Sequence, residues 1–118
     1  MTEKGMDEYT SSGCLGDHVR LRRCILYRLY EIFKDFPYAS VELSQISEEC
    51  HADPGELNWN IVYLEKCGYV ELAKSYECPP FIAPSVTITA SGIDIVEDER
   101  EFNSRFPDRH TEKTDDKP

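Results

Sequence analysis

Cysteine and histidine are the residues of this chain best suited to metal binding or nucleophilic chemistry. No two cysteines show the two-residue spacing of a zinc knuckle or a redox dithiol, and structural zinc needs four ligands in a paired arrangement. The sequence therefore predicts no metal site, no cofactor and reduced thiols. The residues concerned are Cys14, Cys24, Cys50, Cys67, Cys78, His18, His51 and His110.

Catalytic patterns of other kinds are missing from the sequence too. No nucleophile, base and acid set is visible, nor a phosphate-binding glycine loop, so we expect a protein that is not an enzyme. Thirteen lysines and arginines stand against 23 aspartates and glutamates, a formal charge of −10. Such a charge repels phosphate backbones at long range.

The length of 118 residues and an apolar content of 40% predict one folded domain. Patterning divides the chain into a mobile N-terminal tail, residues 1–16, a domain over 17–106 and a disordered tail over 107–118. No apolar run approaches the ~18 to 20 residues of a membrane span, and the polar start lacks the apolar stretch of a signal peptide. We expect a cytoplasmic protein without a membrane segment.

The first element predicted in the domain is a helix. Apolar residues from Leu21 to Phe36 recur at steps of three and four, with Asp17 as the expected cap and Pro37 as the stop. A brief extended segment over residues 38–43 leads into a short second helix. A third helix starts at Asp53 and Pro54, the residue types preferred at a cap and a first helical position, and ends before Gly68.

Two β-branched segments and a last helix complete the pattern. Residues 69–73 and 85–89 predict the strands of a hairpin, and the three prolines between them predict an exposed loop. Thr89 is the expected cap of one final helix that carries residues 93–106. The predicted core consists of Leu21, Ile25, Leu29, Ile32, Leu43, Ile46, Leu57, Ile61, Leu64, Val70, Ile88, Ile93 and Val96.

This order of elements resembles the winged-helix superfamily of transcription regulators. Two segments carry the likeness: Leu64-Glu65-Lys66-Cys67-Gly68-Tyr69-Val70-Glu71-Leu72, where a helix closes before the wing, and Val86-Thr87-Ile88-Thr89-Ala90-Ser91-Gly92-Ile93, where the wing leads into a helix. The resemblance implies an α+β fold with a three-helix core, a two-stranded wing and a C-terminal helix. It also implies a DNA-binding regulator whose third helix enters the major groove of double-stranded DNA.

Transferred to this chain, the resemblance places a small set of polar and basic residues at DNA. The expected contacts are Asn58, Asn60, Lys66 and Lys74, assisted by Arg20, Arg22 and Arg23. The domain itself is acidic, because residues 17–106 hold nine basic and sixteen acidic residues, a net charge of −7. An acidic module that binds a partner protein and no DNA is therefore the alternative.

Aromatic residues support that alternative. Trp59, Val62 and Tyr63 lie opposite the inner stripe of the third helix, and aromatic anchors are typical of protein interfaces. The competing interpretation is that Trp59 folds back against the wing.

The last helix predicts self-association. Ile95, Phe102 and Phe106 form a second apolar stripe, which could build a two-fold homodimer. The competing interpretation is a monomer in which Phe102 and Phe106 pack under the first helix against Phe33 and Phe36.

Overall fold

The computed structural model describes the backbone of residues 7–108 and the side chains of residues 18–108. This part of the chain is α+β, with five helices and a three-stranded antiparallel sheet. The order is α1 Asp7–Asp35, β1 Val41–Glu42, α2 Leu43–Glu49, α3 Pro54–Lys66, β2 Val70–Ala73, β3 Ser85–Ile88, α4 Ala90–Glu97 and α5 Glu99–Arg105.

Helix α1 is the centre of the packing. It contacts α3, α4 and the central strand β3, because the apolar stripe of Leu21, Ile25 and Leu29 faces inward and is buried. The helix ends at Asp35, two residues before Pro37, as predicted. Its start was predicted wrongly: α1 begins at Asp7, and nothing between Asp7 and Asp17 is a proline that would stop it.

The domain boundaries change accordingly. Residues 7–16 of the predicted N-terminal tail are helical, whereas residues 1–6 lie outside the described part of the chain. Of the predicted C-terminal tail, Pro107 and Asp108 are half-buried and residues 109–118 lie outside the described part.

The sheet has the order β1-β3-β2. Strands β2 and β3 form the predicted hairpin, with Val70 opposite Ile88 and Ala73 opposite Ser85. The short extended segment before α2 adds the third strand, because Val41 pairs with Val86 on the other edge of β3. The loop of residues 74–84 closes the hairpin.

The two segments that carried the winged-helix resemblance meet in space. The Thr89 hydroxyl donates a hydrogen bond of 2.6 Å to the carbonyl of Gly68 and accepts one of 3.1 Å from the amide of Gly92. The amide of Thr89 bonds to the carbonyl of Tyr69 at 2.9 Å. Gly68 has the left-handed φ of +86° expected at a helix C-terminus. Thr89 is the predicted helix cap and also joins the end of α3 to the start of α4.

The C-terminal part contains two helices where one was predicted. Asp98 interrupts the run, and its side chain accepts a hydrogen bond of 3.1 Å from the amide of Glu101, so that it caps a new helix. The new direction turns Phe102 and Phe106 into the core, where they are 3% and 2% exposed.

Most of the predicted core is buried. Three of its members, Ile32, Ile88 and Ile93, are only partly buried. The core includes further residues that were not predicted: Leu26, Val41, Ala52, Tyr69, Ala83, Val86, Ile95, Phe102 and Phe106.

A disulfide contradicts the expectation of reduced thiols. Cys24 of α1 is bonded to Cys50, the residue after α2, with the two Cα atoms 6.1 Å apart. The pairing brings together residues 26 positions apart in sequence, which no local spacing could indicate. Cys67 and Cys78 are free and half-buried.

Candidate interaction surface on helix α3

Helix α3 has sharply defined ends. The Asp53 side chain accepts a hydrogen bond of 2.8 Å from the amide of Glu56, and Pro54 occupies the first helical position. Both features were predicted, and Gly68 ends the turn after Cys67. These caps fix which α3 side chains face α1 and which face outward.

Asn60 belongs to the interior, so its predicted place on an outward, base-reading face is wrong. Its side chain is 0% exposed. The carboxamide oxygen accepts a hydrogen bond of 2.8 Å from Nε of Arg22, and the nitrogen bonds to the carbonyl of Glu56 at 2.8 Å and lies 3.1 Å from Nδ1 of His18. Every hydrogen-bonding group of this side chain is therefore occupied inside the protein.

The sequence carried a signal for this burial. Asn60 follows Leu57 by three residues and precedes Leu64 by four, which places it on the apolar stripe. His18 and Arg22, which hold Asn60, are four residues apart and share one face of α1.

Removal of the Asn60 carboxamide should destabilise the domain. Asn60→Ala leaves Nε of Arg22 without its acceptor in a half-buried position, so we expect a loss of about 1 to 3 kcal/mol of unfolding free energy. Urea denaturation measures the change. Asn58→Ala is the matched control, because that side chain bonds a surface loop and we expect a loss below about 1 kcal/mol. Equal losses in both variants would contradict the structural role of Asn60.

Asn58 is held by the loop between the two hairpin strands. Its nitrogen donates a hydrogen bond of 2.9 Å to the carbonyl of Pro80, and its oxygen accepts one of 2.9 Å from the amide of Ile82. The loop is thereby fixed against α3. An adenine would have to compete with these two bonds for the same carboxamide.

The predicted basic contacts are mostly engaged within the protein. Arg22 lies with its guanidinium carbon 3.8 Å from the ring centre of Tyr63, and Arg23 bonds to Asn103 at 2.9 Å and to the carbonyl of Phe106 at 2.7 Å. Lys74 forms an ion pair of 3.2 Å with Glu65. Arg20 has an exposed side chain that also takes part in an interaction within the protein. Lys66 is exposed and is the single basic residue in the sequence of α3.

Trp59 dominates the outer surface of α3. Its side chain is 50% exposed, its ring centre lies 4.3 Å from that of His18, and the Arg22 guanidinium lies 5.6 Å from it. The ring thus rests on α1, not on the wing as the competing interpretation held. Tyr63 and Val62 are half-buried and pack against the core.

The hairpin loop adds apolar surface to this region. Ile82, tied to α3 through Asn58, is 53% exposed, and Tyr76 of the same loop is 66% exposed. We call Trp59, Tyr63, Lys66 and Ile82 the α3 face. Neither Ile82 nor His18 was selected from the sequence, because the contact between loop and helix links distant segments.

A salt bridge connects α1 to the last residue of α2. Arg28 bonds to Glu49 at 3.0 Å and to Glu31 at 2.6 Å. The hydrogen bond from Arg28 lowers the pKa of the Glu49 carboxyl, and it also raises the pKa of the guanidinium. The stabilisation from a lowered carboxyl pKa is complete above the unfolded value and is lost as the pH falls through the folded value. Since the pair is partly exposed, its contribution is small.

The predicted dimer stripe does not lie on the surface. Ile95, Phe102 and Phe106 are 8%, 3% and 2% exposed. The Phe106 ring centre lies 6.2 Å from Tyr69 and 6.0 Å from Phe102. These side chains fill the interior of one chain, so the prediction that they form an exposed dimer interface is wrong.

The sequence matches no protein-family model, and neither a curated protein nor a solved structure matches the chain. Among the described residues, no group of three or more His, Cys, Asp and Glu side chains is placed to hold a metal ion. In the same part of the chain, no helix has the length and apolar character that a membrane crossing requires.

Proposed function

We propose that the protein is a winged-helix-type recognition module whose α3 face binds a partner protein. The winged-helix assignment is supported by the layout of the fold, in which three helices precede a hairpin and further helices. The contact between the Gly68 and Thr89 segments also supports it, because both segments belong to the motifs that resemble that superfamily.

One observation carries the choice of a protein partner over DNA. The two asparagines best placed by sequence to read bases are engaged inside the protein, Asn60 with α1 and Asn58 with the hairpin loop, while Trp59 remains half exposed. Protein interfaces concentrate their binding energy in a few large aromatic anchors. DNA-reading surfaces depend on free hydrogen-bonding and basic side chains.

Charge indicates the chemistry of the partner. The chain carries a formal charge of −10, and Asp53 and Glu56 lie at the start of α3. The negative electrostatic field of such a protein accelerates its association with basic surfaces and repels acidic surfaces. The proposed partner is therefore a protein segment with a basic surface around an apolar anchor that packs on Trp59 and Ile82.

Truncation of Trp59 is expected to weaken binding by about 30-fold, the equivalent of about 2 kcal/mol for a loss of an aromatic anchor. A photo-crosslinking residue introduced at position 82 identifies the partner. Calorimetry with the purified partner then compares the affinity of the Trp59→Ala variant with that of the wild type. Tyr38→Ala is the matched control, because Tyr38 is 99% exposed and lies outside the α3 face.

The salt dependence of association supplies a second readout. For a basic partner, the association rate should fall as salt rises, since steering between opposite charges is screened. Equal affinities for Trp59→Ala and Tyr38→Ala would reject the α3 face as the binding surface. Sedimentation equilibrium distinguishes a second copy of this chain from a different partner.

Binding to double-stranded DNA is the second candidate, which the winged-helix-type layout and the exposed Lys66 favour. Trp59 is the single tryptophan of the chain, so its fluorescence reports directly on the α3 face. Gel shifts at low and moderate salt, paired with titration of Trp59 emission by DNA fragments, test this candidate. A shift abolished by Lys66→Ala would favour DNA over a protein partner.

A further inference from the structure

The Cys24–Cys50 disulfide connects helix α1 to the residue that directly follows α2. Cys50 follows α2 directly, and α3 begins four residues later at Pro54. The bond therefore joins the turn between α2 and α3 to the middle of α1. Since α1 also supports Trp59 through His18, the same helix holds both the turn and the α3 face.

The turn itself is tightly constrained. His51 has a positive φ of 55°, a conformation that persists in a non-glycine residue only when its surroundings impose it. The amide of Ala52 bonds to the carbonyl of Ser47 at 3.0 Å, and the Ser47 hydroxyl donates to the carbonyl of Ala52 at 2.6 Å. Asp53 then caps α3. A change in the position of Cys50 thus passes directly to the start of α3.

The two cysteines line two cavities of the protein. Cys24 lines a cavity of about 660 Å³ between α1 and the α4–α5 region, together with Tyr27 and Phe102. Both cysteines line a second cavity of about 280 Å³ with His51. Arg20 lines both cavities. Both cysteines are half-buried, so the bridge lies near the protein surface.

We propose that Cys24 and Cys50 form a thiol-exchange site that sets the position of α3 according to the redox state of low-molecular-weight thiols. The thiolate of one such thiol attacks a sulfur of the bridge and forms a mixed disulfide, and the other cysteine leaves as a thiolate that takes up a proton. A second thiol attacks the mixed disulfide. Two cysteine thiols are formed, and the two small thiols are oxidised to one disulfide.

Reduction removes the covalent tether but leaves the Arg28–Glu49 pair and the Asn60 bonds between α1 and the α2–α3 region. The expected consequence is a local change in the α2–α3 turn and in the packing of Trp59, with the domain still folded. The site does not depend on which molecule binds the α3 face.

The test uses the full chain with Cys14, Cys67 and Cys78 replaced by serine, so that the pair holds the only thiols. The protein is equilibrated at stepped ratios of reduced to oxidised glutathione, then alkylated and weighed by mass spectrometry. We expect both cysteines to become alkylated in one step, and the acrylamide quenching of Trp59 to change at the same ratio. Loss of a cross-link across 26 residues should lower the thermal midpoint by about 15 °C.

The double variant Cys24→Ser, Cys50→Ser in the same background provides the matched control. It holds no thiol, so it should show the quenching of the reduced protein at every glutathione ratio. Two free thiols at all ratios, a bridge that resists glutathione until the domain unfolds, or thiol titration without a change at Trp59 would each overturn the proposal. None of these readouts involves a partner, so they are independent of the proposed function.

Discussion

Gly92→Ala is expected to destabilise the domain by about 3 kcal/mol or more, because the added methyl group has no space. A Cβ atom at this position would overlap the carbonyl oxygen of Tyr69 and lie 2.7 Å from Cγ1 of Ile88. The Tyr69 carbonyl is backbone, and it is held by the amide of Thr89 at 2.9 Å. Relief of the overlap requires separation of α4 from the turn that follows α3.

Urea denaturation with linear extrapolation measures this loss. Gly55→Ala is the matched control, since Gly55 also lies in the first turn of a helix and its added Cβ would meet only the Asp53 side chain at 3.6 Å. Gly55→Ala should change the unfolding free energy by less than about 1 kcal/mol. Equal and small effects at both glycines would show that the junction between the Gly68 and Thr89 segments is looser than the structure indicates.

The parts of the fold that the sequence predicts are those encoded by neighbouring residues. The cap of α3 by Asp53, its first residue Pro54, the terminal Gly68 and the cap by Thr89 each depend on residues within four positions. Apolar periodicity likewise locates the buried stripes of α1 and α3. The bounds of α3, β2 and β3 therefore follow from local patterns to within a few residues, whereas the start of α1 lies ten residues before the predicted one.

The candidate site depends on contacts between distant segments, and these were not predictable in the same way. Asn60 is satisfied by residues 38 and 42 positions away, and Asn58 holds a loop 22 to 24 positions away. The place of Asn60 on the apolar stripe indicates burial, but the residues that bond to its side chain cannot be found from local spacing. For the same reason, local spacing does not indicate that Cys24 and Cys50 pair.

The break at Asp98 explains why Phe102 and Phe106 do not form the predicted dimer stripe. An uninterrupted helix would present Phe102 and Phe106 as an outer stripe beside Ile93 and Val96. Asp98 instead caps a new helix by accepting the amide of Glu101, and the chain turns toward Tyr69. Aspartate is acceptable within a helix and favoured at a cap, so its type alone does not decide between the two outcomes.

Phe106→Ala is expected to destabilise the domain by about 3 to 5 kcal/mol, the cost of truncating a fully buried aromatic side chain. The ring is 2% exposed and contacts Phe102 and Tyr69, and the Phe106 carbonyl accepts a bond of 2.7 Å from Arg23. This residue therefore closes the core at the C-terminal end of α5. Thermal unfolding and urea denaturation measure the loss.

Phe36→Ala is the matched control, because it removes the same side chain from an exposed position. Phe36 is 66% exposed, so its truncation should change the unfolding free energy by about 0.5 kcal/mol or less. Sedimentation equilibrium of the same variants then distinguishes the two roles considered for Phe106. If Phe106 is a core residue, Phe106→Ala lowers stability and leaves the mass of the folded species unchanged. A variant that keeps the wild-type stability but sediments at a lower mass would instead place Phe106 in an interface between copies, since only there does a loss of contact leave the single chain intact.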